Sequence, residues 1–483
     1  MIIIITLVLS LIQLIYVLVF NIKYIMKRNI KILYMLFLAL VVGCKTGDDL
    51  YLSPNDPAEA SLSTLLTAVE VNTMANVEGD LARISSILVQ HSVGIGSQYI
   101  DIQNYRITQG DFSNSWEGLY SRTMNNANIL MDKAGSENAY YAGISKVLMS
   151  INIALATDLW GDVPFSESFR LSEGILTPKL DKQEDIYKAI DDMLADAIEN
   201  FSANESDNIF LPGADDLMYG GDVQKWTKAA YTLRARYLHR TSSKVSGTEA
   251  RVLDYLNRGI SSNDDNLEAV HSTSGGSQNQ WEAFAQQRRG YLGANKLFVD
   301  FLSSRSDPRI SYFLAKNDND VYLGGNIEDE VINVDASSVG SFFSVGNNYP
   351  IVTFYEAKFI EAEVKSKQDL DVSSILNDAI MANVSYVTKG ADSGASIADY
   401  SNPTLNDVLQ EKWVAMYNQS IEAYNDYRRT GFPYLVPRSE TVGAELSYTP
   451  RRFPFPNSTT LYNPNAKFVP LDVVVWWGNV DVN

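Results

Sequence analysis

Residues 404–430 read TLNDVLQEKWVAMYNQSIEAYNDYRRT, and this stretch decides the fold class. Its apolar side chains recur every three or four positions, which is the spacing of one face of an α-helix. These side chains are Leu405, Val408, Leu409, Trp413, Met416, Tyr417, Ile421, Tyr424 and Tyr427. Gly431 and Pro433 follow, and both residue types commonly end a helix. The stretch therefore predicts one long helix from about Thr404 to Arg429.

Other parts of the chain share this period. Five further segments each predict a helix: 115–134, 140–159, 184–201, 224–240 and 352–366. A single helix cannot bury its own apolar face, so stacked helical hairpins are the expected solution. The sequence shows no clean repeat of about 34 residues, so the hairpins are inferred from the apolar pattern alone. The sequence predicts a mainly α protein.

Long irregular stretches separate the predicted helices, namely 166–182, 202–222, 261–292, 315–350 and 431–483. Irregular segments of this length in compact proteins usually carry function. Two of them contain short apolar runs, at 331–334 and 472–477, that predict brief strands. No Gly/Ser-rich or Pro-rich linker interrupts residues 58–483, so we expect one α-helical domain there.

The N-terminal region has the pattern of an export signal. Residues 26–31 are basic, residues 32–40 are apolar but too short to span a bilayer, and Val41-Val42-Gly43-Cys44 follows. The last four residues resemble a lipobox, in which the cysteine is acylated and becomes the mature N-terminus. We therefore expect residues 1–43 to be a signal peptide, Cys44 to be lipidated, and residues 44–57 to form a tether.

Residues 1–25 leave two interpretations open. The run from Ile2 to Phe20 is almost wholly apolar and long enough for a membrane span. The chain could therefore begin with two membrane segments separated by residues 21–31. We favour a true start at Met26, because Met26 and the bases after it have the form of an ordinary signal peptide.

The net charge limits the partners that this chain can bind, and the cysteine count limits its covalent cross-links. The net charge is −19, and the first 43 residues hold four bases and no acids, so the chain that follows is more acidic still. Such a surface disfavours nucleic acid and anionic membranes as partners. Cys44 is the only cysteine, so a disulfide within the chain is excluded.

The sequence contains no motif for catalysis, a metal or a cofactor. His91, His239 and His271 are the only histidines, and none has the spacing of a metal site. Nucleophile elbows and phosphate-binding loops are absent as well. A glycosidase needs two carboxylates and no local motif, so a hydrolase remains an alternative. We interpret Glu361 and Glu363 as solvated or ion-paired helix residues rather than as such a pair.

Four stretches, in the same order along the chain, resemble the SusD/RagB family of outer-membrane nutrient-binding lipoproteins. They are ATDLWGDVPF at 156–165, the helix at 187–201, FYEAKFIEAE at 354–363, and the segment 411–431 with its Lys412-Trp413 pair. The last of these resembles the branch of the family with a Lys-Trp helix near the C-terminus. The match extends from the lipobox to the C-terminal region.

This resemblance implies tetratricopeptide-like helical pairs, irregular insertions that form a ligand surface, and no catalysis. It implies a SusC-like, TonB-dependent outer-membrane transporter as partner. The implied ligand is an oligosaccharide, with a peptide as the alternative within the family. Asp48-Asp49, after Lys45, resembles the export signal of surface lipoproteins. The expected location is the outer membrane, anchored by lipid and facing the exterior.

Candidate ligand contacts come from composition, because the family's contacts vary among members. Sugars stack their C–H faces on aromatic rings and bond amides and charged groups through their hydroxyls. Two loop segments, 98–106 and 277–291, combine aromatic residues with Gln, Asn and Arg. The predicted contacts are Tyr99, Tyr105, Gln280, Trp281, Arg288 and Tyr291. For each of them local packing remains the competing interpretation.

Overall fold

The computed structural model describes residues 8–24, 26–27 and 60–482. The chain divides into two compact units, Met1–Ser61 and Leu62–Asn483. Helix α1 (Val8–Tyr24) is the apolar helix of the first unit. The predicted lipobox, Cys44 and the tether lie outside the described residues, so the signal peptide and the anchor stay predictions.

The second unit is built from helices joined by irregular segments. In its first half the helices are α2 (Leu62–Glu78), α3 (Asp80–Leu88), α4 (Gln98–Gln103), α5 (Ser113–Glu117), α6 (Asn125–Ala134), α7 (Ala139–Trp160), α8 (Gln183–Phe201), α9 (Val223–Arg240) and α10 (Glu249–Arg258). In its second half they are α11 (Gln280–Gln287), α12 (Lys296–Ser304), α13 (Ile310–Phe313), α14 (Phe354–Ser366), α15 (Ser373–Val387), α16 (Leu405–Ala415), α17 (Ser420–Thr430) and α18 (Asn457–Tyr462).

Consecutive helices pack side by side as hairpins. The packed pairs are α6–α7, α7–α8, α8–α9, α9–α10 and α14–α15, while α17 returns to pack on α3 near the start of the unit. Their apolar faces meet in one large core that runs through most of the unit. The predicted fold of mainly α-helical hairpins is confirmed.

The long C-terminal helix prediction was wrong in one respect, because the helix breaks at Gln419. A 3₁₀ turn, Met416–Asn418, follows α16, and α17 begins one residue after the turn. The Gln419 side chain donates to the carbonyl oxygen of Ile351 (3.0 Å) and accepts from the Tyr355 hydroxyl (3.0 Å). The apolar period continues across the break, so periodicity alone could not reveal it.

The predicted strands at 331–334 and 472–477 were also wrong. The strands in the described residues are β1 (Ser92–Gly94), β2 (Leu267–Ala269), β3 (Leu292–Ala294) and β4 (Tyr349–Val352), and they form antiparallel pairs β1–β3 and β2–β4. Val331 is 81% exposed. Trp477 is buried, and its indole N–H donates to Asp158 (3.2 Å). These apolar residues therefore either face solvent or fill gaps between helices, and neither role needs a strand partner.

Helix α7 is the central element of the core. It is the one helix in the described residues that is long and apolar enough to cross a membrane, but 94% of its apolar window is buried inside the body. It ends at Gly161, whose φ of +77° is a left-handed conformation that glycine adopts without strain. The indole N–H of Trp160 donates to the carbonyl oxygen of Pro454 (2.8 Å). The ATDLWGDVPF motif is thus a structural helix exit, consistent with its sequence.

Buried ion pairs connect the C-terminal helices to the rest of the body. Arg429 contacts Glu363 (2.6 Å) on α14 and Asp426 (2.8 Å) on its own helix α17. Although burial works in the opposite direction, Lys412 and Arg429 lower the pKa of Asp426 to about 2. The neighbouring Arg428 forms no ion pair among the described residues and donates instead to the backbone oxygen of Asp158 (2.7 Å). These contacts hold α14, α16 and α17 together.

Candidate ligand-binding cleft

A cleft of about 550 Å³ opens where α11 and the turn after it face two irregular segments. Its first wall contains Trp281, Phe284 and the turn at Arg288 to Gly290. The facing wall comes from residues 315–318 and 334–339. The volume lies within the range of ordinary small-ligand sites, about 300–1,000 Å³.

Local sequence explains how the first wall is built. The Asn279 side chain caps α11 by accepting from the backbone N–H of Trp281 (3.0 Å), and its amide donates to the carbonyl of Asn347 (3.0 Å). After α11 the chain turns at Gly290, where φ is +78°. The turn lies against Gly96, where an added Cβ would come within 2.4 Å of the Gly290 carbonyl oxygen. Glycine at position 96 therefore permits this close approach.

Three of the predicted contacts are buried side chains. Trp281 and Tyr99 are each 2% exposed, and Tyr105 is 4% exposed. The Trp281 ring packs against Phe343, with the ring centroids 5.4 Å apart. A ring that is this deeply packed presents no open face, so in this structure these three residues are not stacking platforms for a ligand. Local packing, the competing interpretation, describes them better.

The two buried tyrosines also have internal hydrogen-bond partners. Arg83 donates to the Tyr99 hydroxyl (3.0 Å), and burial raises the pKa of Tyr99 to about 12. The backbone N–H of Arg438 donates to the Tyr105 hydroxyl (3.1 Å). Tyr105 does not line the cleft. Tyr99 contacts a residue that does, because its ring packs edge-on against Phe284, with the ring centroids 5.4 Å apart.

The other three predicted contacts lie at or beside the cleft. Arg288 is exposed and lines it. Tyr291 is half-buried and packs edge-on against Phe284 at 6.2 Å. Gln280 donates to the buried carboxylate of Glu78 (3.1 Å), so its amide anchors the start of α11. The segment 277–291 therefore does border the cleft, although only part of its side chains face the open space.

Sequence reasoning missed most of the facing wall. Lys316, Asn317, Asp318, Asp335 and Ser338 line the cleft, and their segment was predicted only as a long irregular stretch that could carry function. No local motif marks them, because their position depends on contacts with other segments. An example is the backbone bond from Ala294 N to Ser337 O (2.7 Å).

Phe284 was also missed. It is half-buried, lines the cleft, and lies under the Arg83 guanidinium at 4.5 Å. Phe284 therefore presents a partly exposed aromatic ring to the cleft, and Arg83 packs against that ring. The sequence did contain a signal for Phe284, because this residue belongs to the segment 277–291, whose aromatic and polar composition predicts a ligand surface.

The histidines have structural surroundings. His91 packs between Trp413, Tyr417 and Phe298, and burial lowers the pKa of His91 to about 3. His271 contacts the Glu78 carboxylate at 2.8 Å. Among the described residues, no group of three or more His, Cys, Asp or Glu side chains could hold a metal ion.

A second cleft of about 480 Å³ lies between the loop at 346–348 and the end of α15. Of the carboxylates that line it, Glu268 already accepts hydrogen bonds from Asn348 (2.8 Å) and from the Tyr386 hydroxyl (2.6 Å). Lys389 is similarly held by Asn347 (2.6 Å). The first cleft is the better candidate, because it combines the half-buried ring of Phe284 with two exposed arginines, Arg288 and Arg289, that form no ion pair among the described residues.

Residues 54–456 match the SusD-like_2 family, which is described as starch-binding and associating with the outer membrane. The fold is similar to that of a SusD/RagB family protein from Bacteroides thetaiotaomicron, with a TM-score of 0.71 and 24% identity over 87% of this chain and 100% of that one. It is also similar to a chitin-binding protein, with a TM-score of 0.74 and 22% identity over 86% of this chain and 100% of that one.

A third similar structure is a chitin-binding SusD homolog from Flavobacterium johnsoniae. Its TM-score is 0.71 and its identity 19%, over 83% of this chain and 94% of that one. No curated protein sequence matches this chain. At these identities the structural similarities establish the fold, and the family match covers most of the chain.

Proposed function

This chain belongs to the SusD-like family, and we propose that it binds nutrient oligosaccharides and delivers them to a SusC-like, TonB-dependent transporter without turning them over. The observation that carries the proposal is the cleft beside α11, where the half-buried ring of Phe284 lies near Arg288 and Arg289, two exposed arginines that form no ion pair among the described residues. The starch-binding description of the family and the chitin-binding names of two similar structures support a glycan as the ligand.

The cleft has the chemistry that a sugar requires. Phe284 offers an apolar ring for the C–H face of a pyranose. Asn317 and Gln286 place amide side chains along the walls, and Arg288 adds a guanidinium. A few polar groups around an apolar surface orient a ligand without supplying catalysis.

Filling the cleft is expected to abolish most glycan binding. Ser338→Trp would place an indole in the open space of the facing wall, because Ser338 is exposed and lines the cleft. We expect the affinity for a bound glycan to fall at least about tenfold, which is about 1.4 kcal/mol. Isothermal titration calorimetry against a panel of neutral and acidic oligosaccharides and peptides measures the effect.

Ser341→Trp is the matched control, because Ser341 is exposed nearby but does not line the cleft. Unchanged glycan affinity in Ser338→Trp would show that the ligand binds elsewhere. Binding of peptides alone would favour the peptide-capturing alternative. The same titrations, followed by product analysis, test the hydrolase alternative, and released products would favour it. Carboxylates such as Glu282 and Asp335 also line the cleft.

We further propose that acylated Cys44 anchors the protein to the outer membrane and that the helical body faces the exterior. The family's association with the outer membrane supports this location. A lipid-anchored binder cannot move cargo across the membrane alone, so a transporter must receive it. Several acyl chains hold firmly, since each buried methylene contributes about 0.8 kcal/mol.

Gentle detergent extraction and pull-down on a C-terminal tag test the anchor and the partner together. The wild-type protein should come from the membrane fraction with a TonB-dependent barrel protein, and protease treatment of intact cells should digest it. Cys44→Ala should leave the membrane fraction because it lacks the acyl chains. A wild-type protein that is recovered alone would contradict delivery to a transporter, and a membrane-bound Cys44→Ala would contradict the lipid anchor.

A further inference from the structure

Two adjacent arginines in the cleft lack the ion pairs that other arginines of this protein form. Arg288 and Arg289 are exposed and line the cleft. No carboxylate lies within 4.0 Å of either guanidinium among the described residues. Arg288 donates only to the carbonyl oxygen of its neighbour Gln287, at 3.4 Å, which is a weak contact.

The other arginines in residues 60–482 are bound. Most contact a carboxylate, as Arg122 does with Glu117 (2.8 Å) even though both side chains are more than half exposed. The remainder donate to backbone carbonyls of distant segments, as Arg451 does to Val480 (3.0 Å). Exposure alone therefore does not explain the unpaired state of Arg288 and Arg289.

A shortage of acidic residues does not explain the lack of ion pairs at Arg288 and Arg289 either. The chain has 58 acidic and 39 basic residues, so a carboxylate partner is easily found. Glu282, Asp318 and Asp335 line the same cleft. None of them pairs with the two arginines, and Glu282 instead accepts from Gln286 (2.8 Å). Two like charges side by side, neither of them in a direct ion pair with a carboxylate of the cleft, favour an anion that enters from outside.

The chemistry of the guanidinium defines that anion. Its planar donors fit two oxygens of one carboxylate or sulfate group, and such charge-assisted bonds are about twice as strong as neutral ones. Phe284 lines the same wall, so an anionic group at the arginines would leave a sugar ring within reach of the aromatic face. A neutral glycan would leave both cations unpaired.

We propose that the cleft binds an acidic oligosaccharide, whose carboxylate or sulfate group is held by Arg288 and Arg289. This inference rests on the proposed function and names the substrate class of the same site. Uronic acids and sulfate esters share the required oxyanion, and the choice of probes distinguishes them.

The test compares each acidic probe with its neutral counterpart by calorimetry. Trigalacturonate is paired with its methyl ester, and a chondroitin sulfate tetrasaccharide is paired both with its desulfated form, which keeps the carboxylates, and with its desulfated, methyl-esterified form. We expect at least one acidic probe to bind about tenfold or more tightly than its counterpart, and this preference should weaken as salt rises. A preference for chondroitin sulfate over its desulfated form identifies a sulfate ester, and a preference for trigalacturonate over its methyl ester identifies a carboxylate.

The double variant Arg288→Gln, Arg289→Gln should lose this preference and keep the affinity for neutral glycans. The double variant Arg122→Gln, Arg251→Gln removes the same charge at exposed sites outside the cleft and should keep the preference. Neutral glycans that bind as well as acidic ones, or a preference that survives the cleft variant, would overturn the inference and leave the proposed function standing. Failure of every glycan, acidic or neutral, to bind would overturn both.

Discussion

Asp158→Asn is expected to lower the free energy of unfolding by about 3–5 kcal/mol. Asp158 is fully buried in the last turn of α7. Its carboxylate accepts from the Tyr187 hydroxyl, from Arg240, from Asn425 (3.2 Å) and from the indole N–H of Trp477 (3.2 Å). These partners come from four other segments of the chain, so one side chain connects α7, α8, α9, α17 and the C-terminal region.

The cost arises because the partners stay buried when the charge is removed. Asparagine has nearly the same shape, but it would leave the Arg240 guanidinium with one carboxylate fewer and would turn an amide N–H towards other donors. Urea denaturation with a two-state fit measures the difference. Asp162→Asn is the control, since Asp162 is exposed in the same motif and its carboxylate accepts only from the backbone N–H of Gln183 (2.8 Å). Equal small losses in the two variants would contradict the role of Asp158.

Trp281→Ala is expected to lower the free energy of unfolding by about 3–5 kcal/mol, the usual cost of truncating a buried large aromatic side chain. Trp281 is nearly fully buried and packs on Phe343 at the base of the cleft. Its loss would leave a cavity where α11 rests on the core. Denaturation in urea would show a lower midpoint, while the slope should stay the same because the fold is unchanged.

Two comparisons separate packing from ligand contact at this position. Trp281→Phe should cost less, because most of the buried ring is kept. Tyr434→Ala should change stability by no more than about 0.5 kcal/mol, since Tyr434 is 82% exposed. A Trp281→Ala protein of unchanged stability that has lost glycan binding would contradict the packing role and restore Trp281 as a ligand contact.

The ion pairs show how far reasoning from the sequence reached. Interpreting Glu361 and Glu363 as ion-paired helix residues is confirmed, because Glu361 contacts Lys365 (2.6 Å) and Glu363 contacts Arg429 (2.6 Å). Neighbours four positions apart on one helix could be foreseen from spacing. Partners such as Glu363 and Arg429 lie on different helices and depend on how the helices pack, which the local pattern does not encode.

The helices and their ends follow from local chemistry, and they were predictable. An apolar period of 3.6 residues specifies which face a helix buries, and Gly161 and Gly431 end α7 and α17 with a left-handed conformation at each exit. The family resemblance could also be found from short segments, because each records a local constraint on one helix or turn.

The tertiary structure was needed to decide which side chains are open to solvent. Trp281 and Phe284 lie three positions apart on α11 and both border the cleft, yet Trp281 is only 2% exposed and packs on Phe343, whereas Phe284 is half-buried. Arg288 and Arg122 are both exposed arginines, yet within residues 60–482 only Arg122 has a carboxylate within 4.0 Å of its guanidinium. Composition treats the members of each pair alike. Exposure and pairing depend on contacts between residues far apart in sequence, so they emerge only when the helices and long loops pack together.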